Sequence, residues 1–154
     1  MNLHLVFNIC IFRFIYSPIT LIDRLINAMP PTLCSLLTVG LILWLTLAPQ
    51  PMGELEVPLF PGADKAVHAI MFGFLTWMLY IDSGKVRHHV PSARTALSCA
   101  LCSTLFGLLI EWLQKAMAMG RSPEVADMFA DASGALVALL LILALRHRLP
   151  PLKY

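Results

Sequence analysis

Four stretches of this chain are so long and so apolar that only a bilayer can cover them. Thr32 to Ala48, "TLCSLLTVGLILWLTLA", lies between Pro30-Pro31 and the prolines at 49 and 51. A second stretch runs from about Lys65 to Ile81. A third, from Thr95 to about Met117, is apolar until Glu111. The fourth, from about Asp127 to Leu145, ends in "ALVALLLILAL" before Arg146. A transmembrane helix needs about 20 mostly apolar residues, and proline and glycine punctuate the connections, where helices stop. Hydrophobic residues make up 58% of the chain and charged ones 13%, against roughly 45–50% apolar in soluble domains. The expected fold is therefore all-α, a polytopic membrane protein with four transmembrane helices in one domain. A formal charge of +2 without a basic block excludes nucleic acid as a partner. The partner the composition demands is the lipid bilayer.

The N-terminus differs. "HLVFNICIFRFIYSPITLI" is apolar enough to enter lipid but is interrupted by Arg13 and Pro18, and a charge at mid-bilayer costs a few kcal/mol. It lacks the layout of a signal peptide and reads as an extra interfacial or partly inserted helix, with Met29 an alternative start. The chain thus divides into an amphipathic segment (1–31), a four-helix membrane domain (32–146) and a tail (147–154). Cys99 and Cys102 form a C-x-x-C inside an apolar run, without the polar access or further ligands of a zinc or redox site, and read as inert helix residues.

Basic residues orient the spans. Arg13, Arg24, Lys85, Arg87, Arg94, Arg146, Arg148 and Lys153, eight of the 11, fall on one side when "DSGKVRHHVPSAR" is taken as the loop after the second span. That side is expected to be cytoplasmic and to hold both termini, in a cytoplasmic (inner) membrane crossed several times. Seven of the nine acids fall toward the outer side: Glu54, Glu56, Asp64, Glu111, Glu124, Asp127 and Asp131. Acids contribute little to topology, so their placement asks for another cause.

Three helix ends meet at that outer rim. The second span opens with Asp64, Lys65 and His68, the first and last four apart and on one helical face. The third closes with Glu111 and Gln114. The fourth opens with Asp127 and Asp131, with Gly134 one turn deeper. Ionisable residues at membrane depth are functional candidates, because lipid penalises them unless they face partners or a wet cavity. Ordinary roles compete. Lys65 suits a snorkelling anchor, His68 an interhelical hydrogen bond, Asp64 and Asp127 helix N-terminal caps, and Gly134 with Ala130 and Ala138 a close-packing stripe. No such role calls for a carboxylate at Glu111 or Asp131.

In order, "D-K-x-x-H-x-x-x-F-G" (Asp64, Lys65, His68, Phe72, Gly73), "E-x-x-Q" (Glu111, Gln114) and "G-R-S-x-x-x-x-D-x-x-x-D-x-x-G" (matching at Gly120, Arg121, Ser122, Asp127 and Gly134) resemble the VanZ-like membrane protein family. The similarity spans roughly Leu36 to Leu145. It implies a small polytopic protein whose founding member is linked to resistance to the glycopeptide teicoplanin, with no settled biochemical activity. Family members usually carry Asn where this chain has Asp131. An ionised Asp only accepts hydrogen bonds, so Asp131 is expected to be protonated, paired with Arg121 or Lys65, or part of an altered site.

Three functions compete. In the first, an envelope enzyme or handler acts on a lipid-linked or wall-related substrate at the outer leaflet. His68 and Glu111 are its candidate general acid and base, and Asp64, Lys65, Gln114, Arg121, Asp127 and Asp131 bind the ligand, the cations by charge-assisted hydrogen bonds. In the second, the same polar rim is a structural or partner-binding network. The third, an ion-coupled transporter, is disfavoured by the lack of charge in the inner half of every span. A divalent ion held by Asp64, Asp127, Asp131 and Glu111 finds no supporting ligand spacing, so no metal or cofactor is assigned.

Overall fold

In a computed structural model, residues 28–48, 62–117 and 125–147 are described. Among them four helices run in order: α1 (Leu33–Leu47), α2 (Ala63–Arg87), α3 (Ala93–Met117) and α4 (Val125–Leu145). The N-terminal segment through residue 27, the two connections expected to face outward (49–61 and 118–124) and the tail from residue 148 lie outside the described residues.

Three helices, α2, α3 and α4, are long and apolar enough to span a membrane, and α1 is a shorter apolar helix of 15 residues. At a rise of about 1.5 Å per residue α1 covers about 22 Å, short of a hydrocarbon core of about 30 Å. The second span is longer than its hydropathy suggests. Asp82, Ser83, Gly84 and Lys85, expected in a loop, continue α2 to Arg87. His88 ends it in the left-handed conformation with φ 55°, its N–H donating to the Lys85 carbonyl. Tyr80 then fixes the turn, its hydroxyl donating to the Pro91 carbonyl over 2.9 Å.

The bundle is built the way lipid requires. Large apolar side chains point outward, among them Leu36, Leu41, Ile70, Phe74, Leu105, Trp112 and Phe129. Small and polar ones point inward: Ser35, Thr38, Thr76, Ser103, Gln114, Ala135 and Ala138. With no hydrophobic gain from packing Leu on Leu inside lipid, helices associate through close contact and hydrogen bonds. Two apolar clusters fill the centre. Tyr80, Ala96, Cys99, Ala100, Ala135, Leu139 and Ile142 join α2, α3 and α4, while Ile42, Phe72, Leu75 and Ile110 join α1, α2 and α3. Cys99 belongs to the first cluster; its neighbour Cys102 is exposed, and both thiols are free. The buried hydroxyls spend their donors on backbone carbonyls, as they must without water: Thr38 on Cys34, and both Thr76 and Ser103 on Phe72.

The tightest contact lies between α2 and α4. A Cβ at Gly134 would overlap the carbonyl oxygen of Ala69, and one at Gly73 would stand 3.0 Å from the carbonyl oxygen of Gly134. On the lipid side of this seam lies an apolar groove of about 470 Å³, lined by residues including Ile70, Phe74, Trp77 and Val137.

Candidate functional site

The contacts give the bundle an up-down order. Gln114, near the end of α3, meets Thr46 at the end of α1, and Lys65, at the start of α2, meets Asp127 at the start of α4. One end of the bundle therefore gathers the residues singled out in the sequence.

At its centre are His68 from α2, Glu111 from α3 and Asp131 from α4, exposed by 6%, 3% and 2%. Ligand atoms from the three lie within 4.8 Å of one another. His68 Nδ1 is 2.9 Å from Asp131 Oδ1. With Asp131 ionised, the Nδ1–H donates and Nε2 carries the free lone pair. The His68 ring lies nearly parallel to that of Phe72, one turn deeper, with 19° between planes and 6.4 Å between centroids.

Local sequence explains the convergence. His68 sits one turn inside α2 and Asp131 one turn inside α4, so parallel helices in contact at Ala69 and Gly134 bring them level. Sequence reasoning passed over Gly107. A Cβ there would stand 2.6 Å from Asp131 Oδ2, so the glycine makes the room the carboxylate occupies. Its signal was present: Gly107 precedes Glu111 by four, on the same face of α3.

The remaining candidates take distinct places. Lys65 Nζ lies 3.6 Å from Asp127 Oδ1 and 3.9 Å from Asp64 Oδ2. Lys65 and Asp64 are well exposed at the mouth, and Asp127 is largely buried. Both acids lie in the first turns of their helices, where the helix dipole favours them. Gln114 is turned toward α1, its amide donating to the Thr46 carbonyl over 2.9 Å. Arg121 lies outside the described residues. Of the alternatives for Asp131, the geometry gives a contact with His68, level with it, while Lys65, nearly a turn shallower, lies against Asp127.

A second polar cluster occupies the opposite end and corrects the expectation that the inner halves carry no charge. Asp82 and Lys85 are 4% and 1% exposed, with Lys85 Nζ 3.7 Å from Asp82 Oδ1. Asp82 Oδ2 accepts from the Ser35 N–H at 2.8 Å and the Ser35 hydroxyl at 2.7 Å. Lys85 also reaches the Met29 carbonyl at 3.4 Å. The charges were missed because hydropathy read them as the start of a loop. Between the clusters lie Phe72, Leu75 and Ile110, with Thr76 and Ser103 bonded to the Phe72 carbonyl.

The profile of the VanZ/LLP1 family matches residues 3–146. The chain belongs to the VanZ/LLP1 family. The match takes in the N-terminal segment, which the motif resemblance from Leu36 onward did not. Comparison with curated proteins gave no match, and neither did comparison with solved structures. Family and fold together make this a multi-pass helical membrane protein of the VanZ-like kind.

Proposed function

We propose that this VanZ-family protein acts in a cell-envelope process at the outer face of the cytoplasmic membrane, on a lipid-linked or wall-related substrate. The termini and the α2–α3 turn lie in the cytoplasm. The observation that carries the proposal is the burial of His68, Glu111 and Asp131 within 4.8 Å of one another at one end of the bundle. Burying three ionisable groups costs several kcal/mol unless the arrangement is fixed by mutual contacts, and nothing in packing four helices calls for them. Asp131 on Nδ1 orients the imidazole and stabilises its protonated form, which leaves His68 Nε2 to take a proton from a substrate hydroxyl or water. Glu111 is the complementary acid. Lys65 at the mouth supplies a cation for a phosphate or carboxylate headgroup, and the apolar groove on the α2–α4 seam suits a hydrocarbon chain. A link to glycopeptide resistance follows as a consequence of altered envelope precursors.

The test compares a deletion strain with one carrying Glu111→Gln, by lipid and cell-wall analysis. The variant, made at the wild-type level, is expected to reproduce the deletion's envelope profile. A profile identical to wild type refutes the proposal. A non-catalytic role draws on Gln114 and Lys65, whose contacts are internal; it predicts instead that Glu111→Gln and His68→Ala lose folded protein.

A further inference from the structure

The geometry points to a divalent metal site formed by His68, Glu111 and Asp131, taking a first-row transition ion such as Zn²⁺. It rests on the same three side chains as the proposed function but not on their acid–base roles.

One imidazole and two carboxylates, from three different helices, place ligand atoms within 4.8 Å of one another. A tetrahedral ion with bonds of about 2.0–2.2 Å holds its ligands roughly 3.4 Å apart. Closing the difference takes at most about 1.4 Å, a shift of the size side-chain rotation provides. Three protein ligands and one open position is the pattern of a catalytic rather than a structural zinc site. The mixed nitrogen and oxygen donors favour a transition ion over Mg²⁺ or Ca²⁺, which prefer all-oxygen cages.

A second observation points the same way. Asp131 is 2% exposed, and while Oδ1 is held by His68, Oδ2 has no hydrogen-bond partner. It lies buried against α3 at Gly107, one turn from Glu111. An anionic oxygen without a donor in a dry interior is costly, and a cation shared with Glu111 removes that cost. Lys65, held between Asp64 and Asp127, lies about one turn above the cluster at its mouth.

With an ion bound, His68 would give it a ring nitrogen and the two carboxylates an oxygen each. The chemistry such an ion would supply is Lewis acidity toward a phosphoryl or carbonyl oxygen.

The experiment uses the full chain purified in detergent, stripped with chelator and titrated with Zn²⁺, with binding read by calorimetry and by metal content after gel filtration. Expected is about one equivalent per chain and a raised melting temperature, since a ligand that binds only the folded state stabilises it. His68→Ala, Glu111→Gln and Asp131→Asn should each weaken binding at least about tenfold. Helical circular dichroism and gel filtration confirm that each variant is folded, and Glu111→Gln and Asp131→Asn keep the original shapes should His68→Ala fail to fold. Absence of stoichiometric binding to folded wild type overturns the site, as does equal binding by the variants. Either result leaves the envelope phenotype of Glu111→Gln to be judged on its own.

Discussion

One substitution, made at two positions, should move stability in opposite directions. Gly40 in α1 and Gly134 in α4 are both glycines inside apolar helices. In a helix interior, alanine is favoured over glycine by about 0.8–1.0 kcal/mol. At Gly40 a new Cβ meets nothing within 4 Å, so Gly40→Ala should keep most of that gain. At Gly134 the Cβ overlaps the Ala69 carbonyl oxygen and comes within 2.6 Å of its carbonyl carbon. These are backbone atoms of a packed helix, which cannot rotate away. Relief requires α2 and α4 to part, at the roughly 1–3 kcal/mol typical of overpacking and toward its upper end. Net of the propensity gain, Gly134→Ala should cost about 2 kcal/mol. For a chain of this length that lowers the melting temperature by about 4–8 °C. The assay is thermal unfolding in detergent, read by loss of the monodisperse gel-filtration peak. Because His68 and Asp131 flank the crossing, Gly134→Ala should also reduce any function that depends on their contact. If both variants melt with wild type, or if Gly40→Ala is the more damaging, close packing at Ala69–Gly134 does not hold the bundle together.

Other perturbations separate the two ends of the bundle. Asp82→Ala removes the acid beside buried Lys85 and should cost about 3 kcal/mol or more, while the double variant Asp82→Asn, Lys85→Met should recover much of that loss in the same melt. Gln114→Ala removes the bond to the Thr46 carbonyl and should cost about 1 kcal/mol. Lys65→Ala, whose ion pairs are half-exposed, should cost under about 1 kcal/mol and lose even that at high salt. Reporter fusions after His89 and after Gly120 should report inside and outside respectively; the reverse result places the His68 cluster on the cytoplasmic side.

Fold and site were legible in the sequence to different depths. Hydropathy located each of the four described helices because lipid-facing surfaces must be apolar whatever lies behind them. It misplaced the end of α2 because Asp82 and Lys85 satisfy each other and Ser35 inside the protein, where a window average sees only polarity. The rim residues were found because i, i+4 spacing puts Asp64 with His68 and Asp127 with Asp131 on common faces. Which side chains touch was not legible, since it depends on the relative depth of helices, set by Ala69 against Gly134. That depth sends Lys65 to Asp127 and His68 to Asp131. The cluster of potential metal ligands has no local spacing, because each residue comes from a different helix. Gly107 was visible only as one more small residue until the carboxylate opposite it was placed.

The pair at the far end also bears on how the chain enters the bilayer. Asp82 and Lys85 stand three apart on one helix, so their charges cancel within α2 itself. Neither needs a later helix to neutralise it. The segment from Ala63 to Arg87 can therefore leave the insertion machinery with its buried pair already neutral and only Arg87 charged at that terminus, and the Ser35 contacts of α1 complete the coordination afterwards. Separating the two charges along the helix, with the same residues in a different order, should impair membrane integration before it affects the folded protein.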